Sequence, residues 1–202
     1  MSLLEIKNLT VEYKISAGFV RAVDDVSMTI EQGEYFGLVG ESGCGKTTLA
    51  RAILRLLPIN GRIVKGEIWL KGKNIATMSQ KQLRPLRWQD MSLIPQSAMN
   101  ALDPVYRVGD QIVEAIRAHK SVSKDEGLER AAELFDLVGL DPARLEDYPH
   151  QFSGGMRQRA MIAMSLALSP DLIIADEPTT ALDVIVKDQI LHRMDQVQKQ
   201  LK

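Results

Sequence analysis

The sequence lacks the features that mark disulfide-rich, membrane-spanning and polyanion-binding proteins. It contains one cysteine, Cys44, which excludes intramolecular disulfides and cysteine-rich metal sites and suits a reducing compartment. Its longest apolar runs are far shorter than the roughly 18 to 20 residues of a membrane-spanning helix. The formal net charge is -1, so no global field attracts nucleic acid or acidic lipid. We therefore expect a cytoplasmic chain with no nucleic-acid partner, whose contact with a membrane would come through another protein.

Hydropathy patterns predict an α/β chain with a β-rich start and a helical middle. Short strands are predicted from Leu3 to Ile30, and a compact apolar strand from Tyr35 to Val39 leads into a glycine-rich turn. Helical spacing over about residues 97 to 165 predicts a helical subdomain. The other predicted elements are strands from Glu67 to Leu70, Met91 to Ile94 and Leu172 to Ala175, and helices from Lys46 to Leu57, Ser153 to Leu168 and Val184 to Leu201.

A glycine-rich segment between the strand at Val39 and the following helix has the pattern G-x-x-x-x-G-K-[ST]. Its residues are Gly40, Glu41, Ser42, Gly43, Cys44, Gly45, Lys46 and Thr47, and Thr48 follows. Glycines allow consecutive N–H groups to turn toward one anion, and the helix adds its positive end. Lys46 then reaches the β and γ phosphates of a nucleotide, and the Thr47 hydroxyl binds magnesium. The alternative is a turn that binds nothing, but the flanking strand and helix disfavour it.

Two carboxylates, Asp176 and Glu177, follow directly on the predicted buried strand that ends at Ala175. Ligands of open α/β sheets bind at this carboxyl edge of the strands. We expect Asp176 to hold magnesium through water and Glu177 to be the general base that orients or deprotonates the attacking water. The alternative is that adjacent acids merely end a strand and cap a helix.

The segment Phe152-Ser153-Gly154-Gly155-Met156 resembles the signature L-S-G-G-Q of ATP-binding-cassette (ABC) proteins. Ser153 and the N–H groups of Gly154 and Gly155 at a helix start would form a second anion site. The resemblance implies that this site closes over the γ-phosphate held by another subunit. Phe152 and Met156 depart from the signature, which leaves the Ser-Gly-Gly contact intact. The alternative is an ordinary serine-capped helix.

Three further positions match the order of motifs that the resemblance implies. Gln96 resembles the glutamine that touches magnesium and the attacking water and relays to the membrane partner; a solvated loop amide is the alternative. Asp183 resembles the aspartate that contacts the opposite subunit, and it could also cap the last helix. Tyr13 resembles the aromatic residue that stacks on adenine, but the alternation of Leu9, Val11 and Tyr13 fits a core residue equally well.

The resemblance implies a P-loop NTPase of three layers, with an N-terminal antiparallel β layer and a helical subdomain, forming one nucleotide-binding domain over residues 1–202. It implies hydrolysis of ATP with Mg²⁺ at the cytoplasmic face of a membrane. Segments 96–106, 150–159 and 176–184 resemble the ATPases of peptide and nickel importers. The implied partners are integral-membrane permease subunits, a second ATPase subunit in a homo- or heterodimer, and a solute-binding protein.

Two other functions compete with that of an importer. ABC ATPases of DNA repair would require long coiled coils between the phosphate loop and the signature, and the sequence predicts none. A nucleotide-gated regulatory module would have a disabled Lys46 or Glu177, but both are present. The family also carries a switch histidine on a further strand, whereas His192 falls within a predicted helix, so we expect the sequence to be truncated before that histidine.

Overall fold

The computed structural model describes residues 2–96 and 101–178, which belong to two compact units, Met1–Arg87 and Trp88–Lys202. The elements of the first unit are β1 (Ser2–Ile15), β2 (Gly18–Glu31), α1 (Lys46–Ile53), β3 (Gly61–Leu70), β4 (Lys73–Asn74) and α2 (Gln80–Leu83). Those of the second are β5 (Met91–Ile94), α3 (Val108–Arg117), α4 (Lys124–Leu137), the 3-10 helices Pro142–Glu146 and Pro149–Gln151, α5 (Gly154–Ser165) and β6 (Leu172–Ala175).

The first unit is built on an antiparallel sheet with strand order β2-β1-β3-β4. In β1, Leu4 and Ile6 are buried before an irregularity at Asn8, and Leu9 and Val11 are buried after it. Between the pairs Ile6–Met28 and Leu9–Val26, β1 advances three residues and β2 only two, so a bulge inserts one residue at Asn8, where φ is 47°. The bulge shifts the buried face of β1 from even to odd positions. The predicted N-terminal antiparallel layer is confirmed, with longer strands than the sequence pattern indicated.

The predicted strand from Tyr35 to Val39 is wrong, because this segment has an irregular backbone. Its large apolar side chains are exposed, with Val39 at 95% of its full accessibility. An apolar strand satisfies its backbone N–H and C=O groups only beside hydrogen-bonded neighbours. Among the described residues of the first unit, no strand pairs with this segment, which accounts for the difference.

Helix α1 begins at Lys46 as predicted and ends at Ile53, earlier than the predicted Leu57. Arg55 has a left-handed backbone with a φ of 55°, and a left-handed residue just past the last turn ends a helix. The helix therefore extends directly from the glycine-rich segment with Leu49, Ala52 and Ile53 buried.

The second unit has a helical core formed by α3, α4 and α5. Phe135 of α4 and Phe152 meet edge to face, with ring centroids 6.4 Å apart and planes at 71°. Other fully buried members of this core include Val108, Ile112, Ala131, Leu134, Val138, Ala160 and Ala163. The helical spacing predicted for the middle of the chain is thus confirmed for these elements, and the bounds of a separate subdomain stay a prediction.

Strands β5 and β6 pair in parallel, with Met91 opposite Leu172 and Ile94 opposite Ala175. Because parallel strands end at the same edge, the residues that follow Ile94 and Ala175 emerge side by side. Both strands have the predicted bounds. In the part of the chain that the structure describes, no helix is long and apolar enough to cross a membrane.

Candidate functional site

The glycine-rich segment folds around the ammonium group of Lys46. Lys46 Nζ donates to the carbonyl oxygens of Gly40 at 2.7 Å and Glu41 at 2.8 Å, and it lies 3.8 Å from Cys44 Sγ. The backbone turns within the loop, where Cys44 N–H donates to Glu41 O at 3.3 Å. The side chain is therefore held over the concave side of its own loop, where a positive charge can meet an anion.

Two glycines give the loop a backbone that other residues adopt only with strain. Gly43 and Gly45 have φ values of 82° and 98°, in the left-handed region. A Cβ built on Gly45 would also collide with the carbonyl oxygen of Ala22 on β2, whereas one on Gly43 would enter open space. Gly45 is thus required both for its conformation and for its close approach to the sheet.

The start of α1 presents backbone donors to the same region. The helix is capped by Gly45, which has no side chain to accept a hydrogen bond, and Leu49 N–H is the first to bond within the helix, to Gly45 O at 2.9 Å. The N–H groups of a first helical turn point toward the helix start, and the first turn of α1 contains no acidic residue. These donors, the helix dipole and Lys46 fit a polyphosphate.

Tyr13 lies against the helix that follows this loop. Its hydroxyl and that of Thr48 are hydrogen-bonded at 3.2 Å, and its side chain is partly buried. Across the sheet, Tyr13 pairs with Val20 of β2 and Gly61 of β3. The hydroxyl contact with Thr48 places this partly buried aromatic ring beside the start of α1. Sequence reasoning identified Tyr13 but missed its contacts with Thr48 and Gly61, for which the sequence carries no pattern.

At the carboxyl edge of β5 and β6, Gln96 and Glu177 come together. Gln96 Nε2 donates to Glu177 Oε2 at 2.9 Å, and the strand pairing continues one step further as Asp176 N–H donates to Ile94 O at 3.0 Å. Glu177 has a φ of 49°, a left-handed conformation uncommon outside glycine, asparagine and aspartate. Both side chains are exposed, and Asp176 is partly exposed beside them. This cluster offers the carboxylate and amide oxygens that Mg²⁺ prefers.

The Ser-Gly-Gly segment begins α5 as predicted. Ser153 caps the helix, and its Oγ accepts a hydrogen bond from Met156 N–H at 3.3 Å. Gly154 and Gly155 form the first turn and stay partly exposed, while Met156 packs against the helical core. Sequence reasoning missed Arg157, whose NH1 group donates to Phe152 O at 2.8 Å and fixes the approach to the helix.

The structure thus brings some of the predicted residues together and leaves one undescribed. Lys46, Gly45 and Thr48 share a region with Tyr13 in the first unit, and Gln96, Asp176 and Glu177 form one cluster in the second. Asp183 and the predicted helix from Val184 to Leu201 lie outside the described residues.

Comparison with known proteins identifies the family. The family model described as "ABC transporter" matches residues 23–180. The chain is 49% identical over 192 residues to the "Probable peptide ABC transporter ATP-binding protein y4tR" of Sinorhizobium fredii, which covers 94% of this chain and 57% of the relative. It is 43% identical over 202 residues to the "Oligopeptide transport ATP-binding protein OppD" of Bacillus subtilis, covering 98% of this chain and 56% of that protein.

Solved structures agree with the sequence relatives. The dimeric post-hydrolysis state of the ATP-binding cassette MJ0796 with ADP and Pi superimposes with a TM-score of 0.86 at 27% identity, over 98% of this chain and 83% of that one. The predicted P-loop NTPase fold is confirmed by this likeness. The chain spans 56 to 59% of the length of curated relatives such as OppD and the "Dipeptide transport ATP-binding protein DppD" of Bacillus subtilis. It belongs to the ABC transporter family.

Proposed function

We propose that this chain is the ATP-binding and ATP-hydrolysing part of an ABC importer for peptides. The observation that carries the proposal is the loop wrapped around Lys46 at the start of α1. Lys46 binds the β and γ phosphates of ATP, and the N–H groups of the loop and of the first helical turn bind the remaining phosphate oxygens. The ring of Tyr13 stacks on adenine, since a flat aromatic face offers contact area to a base.

Magnesium is the cation that these residues suit best. In the second unit, Asp176 and Gln96 would supply the carboxylate and amide oxygens that Mg²⁺ takes, either directly or through water. In the first unit, Thr47 carries a hydroxyl of the same hard-oxygen type directly after Lys46. Because Gln96 turns its Nε2 toward Glu177, its Oε1 is directed away from that carboxylate and can act as a ligand. A magnesium ion held there would supply positive charge that offsets the negative charge developing during phosphoryl transfer.

Glu177 is the general base in this proposal. Its carboxylate accepts the proton of the attacking water or orients that water toward the γ-phosphate. The Nε2 donor of Gln96 holds one carboxylate oxygen, which fixes the direction of the other. Precise orientation of the base and the water accounts for much of the rate enhancement in such a reaction.

Ser153, Gly154 and Gly155 serve a second subunit in this proposal. They contact the γ-phosphate held by that subunit, and Asp183 contacts the opposite subunit, in a homo- or heterodimer. The capped but partly exposed start of α5 supports the first role, because its N–H groups and dipole favour an anion. The related cassette MJ0796 is described as dimeric.

The transported solute and the remaining partners complete the proposal. The relatives are named for peptide, oligopeptide and dipeptide transport, so we assign peptides to this importer. The ATPase would act at the cytoplasmic face of the membrane, bound to integral-membrane permease subunits that receive peptides from a solute-binding protein.

The test is ATPase activity of the protein reconstituted with its permease subunits and solute-binding protein in lipid nanodiscs. Short peptides should stimulate ATP hydrolysis, while free amino acids, Ni²⁺ and a disaccharide should not. The Lys46→Ala form should bind ATP weakly and remain unstimulated. Stimulation by Ni²⁺ or the disaccharide, and not by peptides, would overturn the assignment of peptides; an unaltered ATP affinity in Lys46→Ala would overturn the role of the loop.

A further inference from the structure

Gly61 lies directly beneath the side chain of Tyr13 in the first unit. The two residues are cross-strand partners in β1 and β3. A Cβ built on Gly61 would lie 2.8 Å from Cε1 and 3.2 Å from Cδ1 of the Tyr13 ring, and 3.3 Å from Cβ of Leu57. Carbon atoms in contact are normally about 3.5 to 4.0 Å apart, so the ring occupies the space that any side chain at position 61 would need.

The other end of the Tyr13 side chain is fixed by a polar contact. Its hydroxyl is bonded to Thr48 Oγ1 at 3.2 Å, and Thr48 lies in the first turn of α1, directly after the phosphate loop. Gly61 therefore sets how closely the ring approaches the sheet, and Thr48 sets its position along the helix. Neither contact involves residues of the apolar core.

We propose that Gly61 is a positioning residue for adenine, because its missing side chain lets the Tyr13 ring lie at the height from which it stacks on the base. This inference rests on the proposed stacking role of Tyr13. A methyl group at position 61 would lift or tilt the Tyr13 ring. Because Leu57 blocks the other side of this space, the methyl group cannot move aside and leave the ring where it is. The phosphate contacts of Lys46 would be unaffected.

The experiment measures binding of MgATP and of magnesium tripolyphosphate, which has no base, by calorimetry. Gly61→Ala should weaken MgATP about two- to tenfold, the range for loss of one aromatic contact, and leave tripolyphosphate unchanged. Tyr13→Ala should do the same. In the Tyr13→Ala background, adding Gly61→Ala should change nothing further, because the ring through which Gly61 acts is gone.

Gly127→Ala is the matched control for steric strain at a glycine. A Cβ at Gly127 would lie 2.9 Å from Val113 Cγ1 in the helical core, a clash similar to that at Gly61, and neither Gly127 nor Val113 is a proposed ligand contact. It should leave both affinities as they are. If Gly61→Ala lowers the melting temperature, the double variant with Tyr13→Ala should restore it, because the ring with which the methyl group collides is gone. If the double variant melts no higher than Gly61→Ala, the proposed contact between position 61 and the Tyr13 ring is wrong.

The outcomes separate this inference from the proposed function. Unchanged MgATP affinity in Gly61→Ala, with loss in Tyr13→Ala, overturns the role of Gly61 and leaves stacking intact. Equal loss of ATP and tripolyphosphate in Gly61→Ala shows damage to the phosphate loop and also overturns it. If Tyr13→Ala has no effect while Lys46→Ala weakens both ligands, stacking itself fails and phosphate binding stands.

Discussion

Gln96 and Glu177, 81 positions apart in the chain, are joined by a hydrogen bond of 2.9 Å from Nε2 to Oε2. A carboxylate only accepts hydrogen bonds, so the amide must turn its nitrogen toward Glu177 and its oxygen away. Glu177 meets this donor from a left-handed backbone conformation with a φ of 49°. Such a conformation costs about 1–2 kcal/mol for a residue other than glycine, and hydrogen bonding at the end of β6 helps to maintain it.

Removal of this amide should slow hydrolysis more than it weakens binding. In Gln96→Ala, we expect kcat for ATP to fall about 10- to 100-fold, since the carboxylate loses a charge-assisted contact that orients it. The affinity for ATP should change no more than a few-fold, because the phosphate loop is untouched. Steady-state ATPase assays and equilibrium binding measure the two quantities.

Gln111→Ala provides the control for that experiment. The Gln111 amide also makes close contacts within the second unit, accepting from Asp103 N–H at 2.9 Å and donating to Tyr106 O at 3.1 Å, and it is not one of the proposed site residues. The kcat of Gln111→Ala should equal that of the native protein. An equal fall in both variants would mean that Gln96 acts through general stability and not through Glu177.

The two left-handed glycines of the loop should differ in their tolerance of a methyl group. In Gly43→Ala the new methyl group enters open space, so the only penalty is the free energy of about 1–2 kcal/mol for holding alanine in a left-handed conformation. In Gly45→Ala the methyl group also collides with Ala22 O. We expect Gly45→Ala to weaken ATP binding by more than about tenfold and Gly43→Ala by a few-fold. Calorimetric titration of both variants tests this order, and equal affinities would contradict the close approach of Gly45 to β2.

The capping box at the start of α4 predicts a pH-dependent contribution to stability. The pKa of Glu126 is lowered because its carboxylate accepts hydrogen bonds from the backbone N–H and then the hydroxyl of Ser123. A carboxylate with a lowered pKa stabilises the fold at neutral pH. This contribution begins to decline as the pH falls below the ordinary glutamate pKa of 4.5, and it is lost as the pH passes through the lowered pKa of Glu126.

Glu126→Gln should therefore melt at a lower temperature than the native protein at pH 7, and the difference should narrow toward pH 3. Glu129→Gln, on the exposed side of the same helix, controls for loss of a negative charge. Thermal unfolding followed by circular dichroism at several pH values measures the differences. A gap between Glu126→Gln and native protein that widens on acidification would contradict the capping role.

Motifs that combine a local conformation with a local chemistry were predictable from the sequence. The glycine-rich turn before α1, the Ser153 cap and the strands β5 and β6 are examples, because their glycines, caps and apolar runs act within a few residues of each other. The approach of Gln96 to Glu177 followed in part, because both residues come directly after predicted strands, but the pairing of those two strands is a tertiary property.

Other features depended on contacts that no local pattern records. The strand expected from Tyr35 to Val39 failed because an apolar run specifies a buried strand only when neighbouring strands pair with it. The role of Gly61 depends on a cross-strand partner, Tyr13, that is distant in sequence. Such a glycine is indistinguishable in sequence from one that merely ends a loop.

The most direct test of the account is single-turnover hydrolysis of ATP by the native protein and by Glu177→Gln, with ATP binding measured on the same samples. The substitution keeps the shape of the side chain and removes the base. We expect Glu177→Gln to bind MgATP with native affinity and to hydrolyse it about 10²- to 10⁴-fold more slowly. Hydrolysis at the native rate by Glu177→Gln, with ATP bound, would contradict the assignment of Glu177 as the base and with it the chemistry proposed for this site.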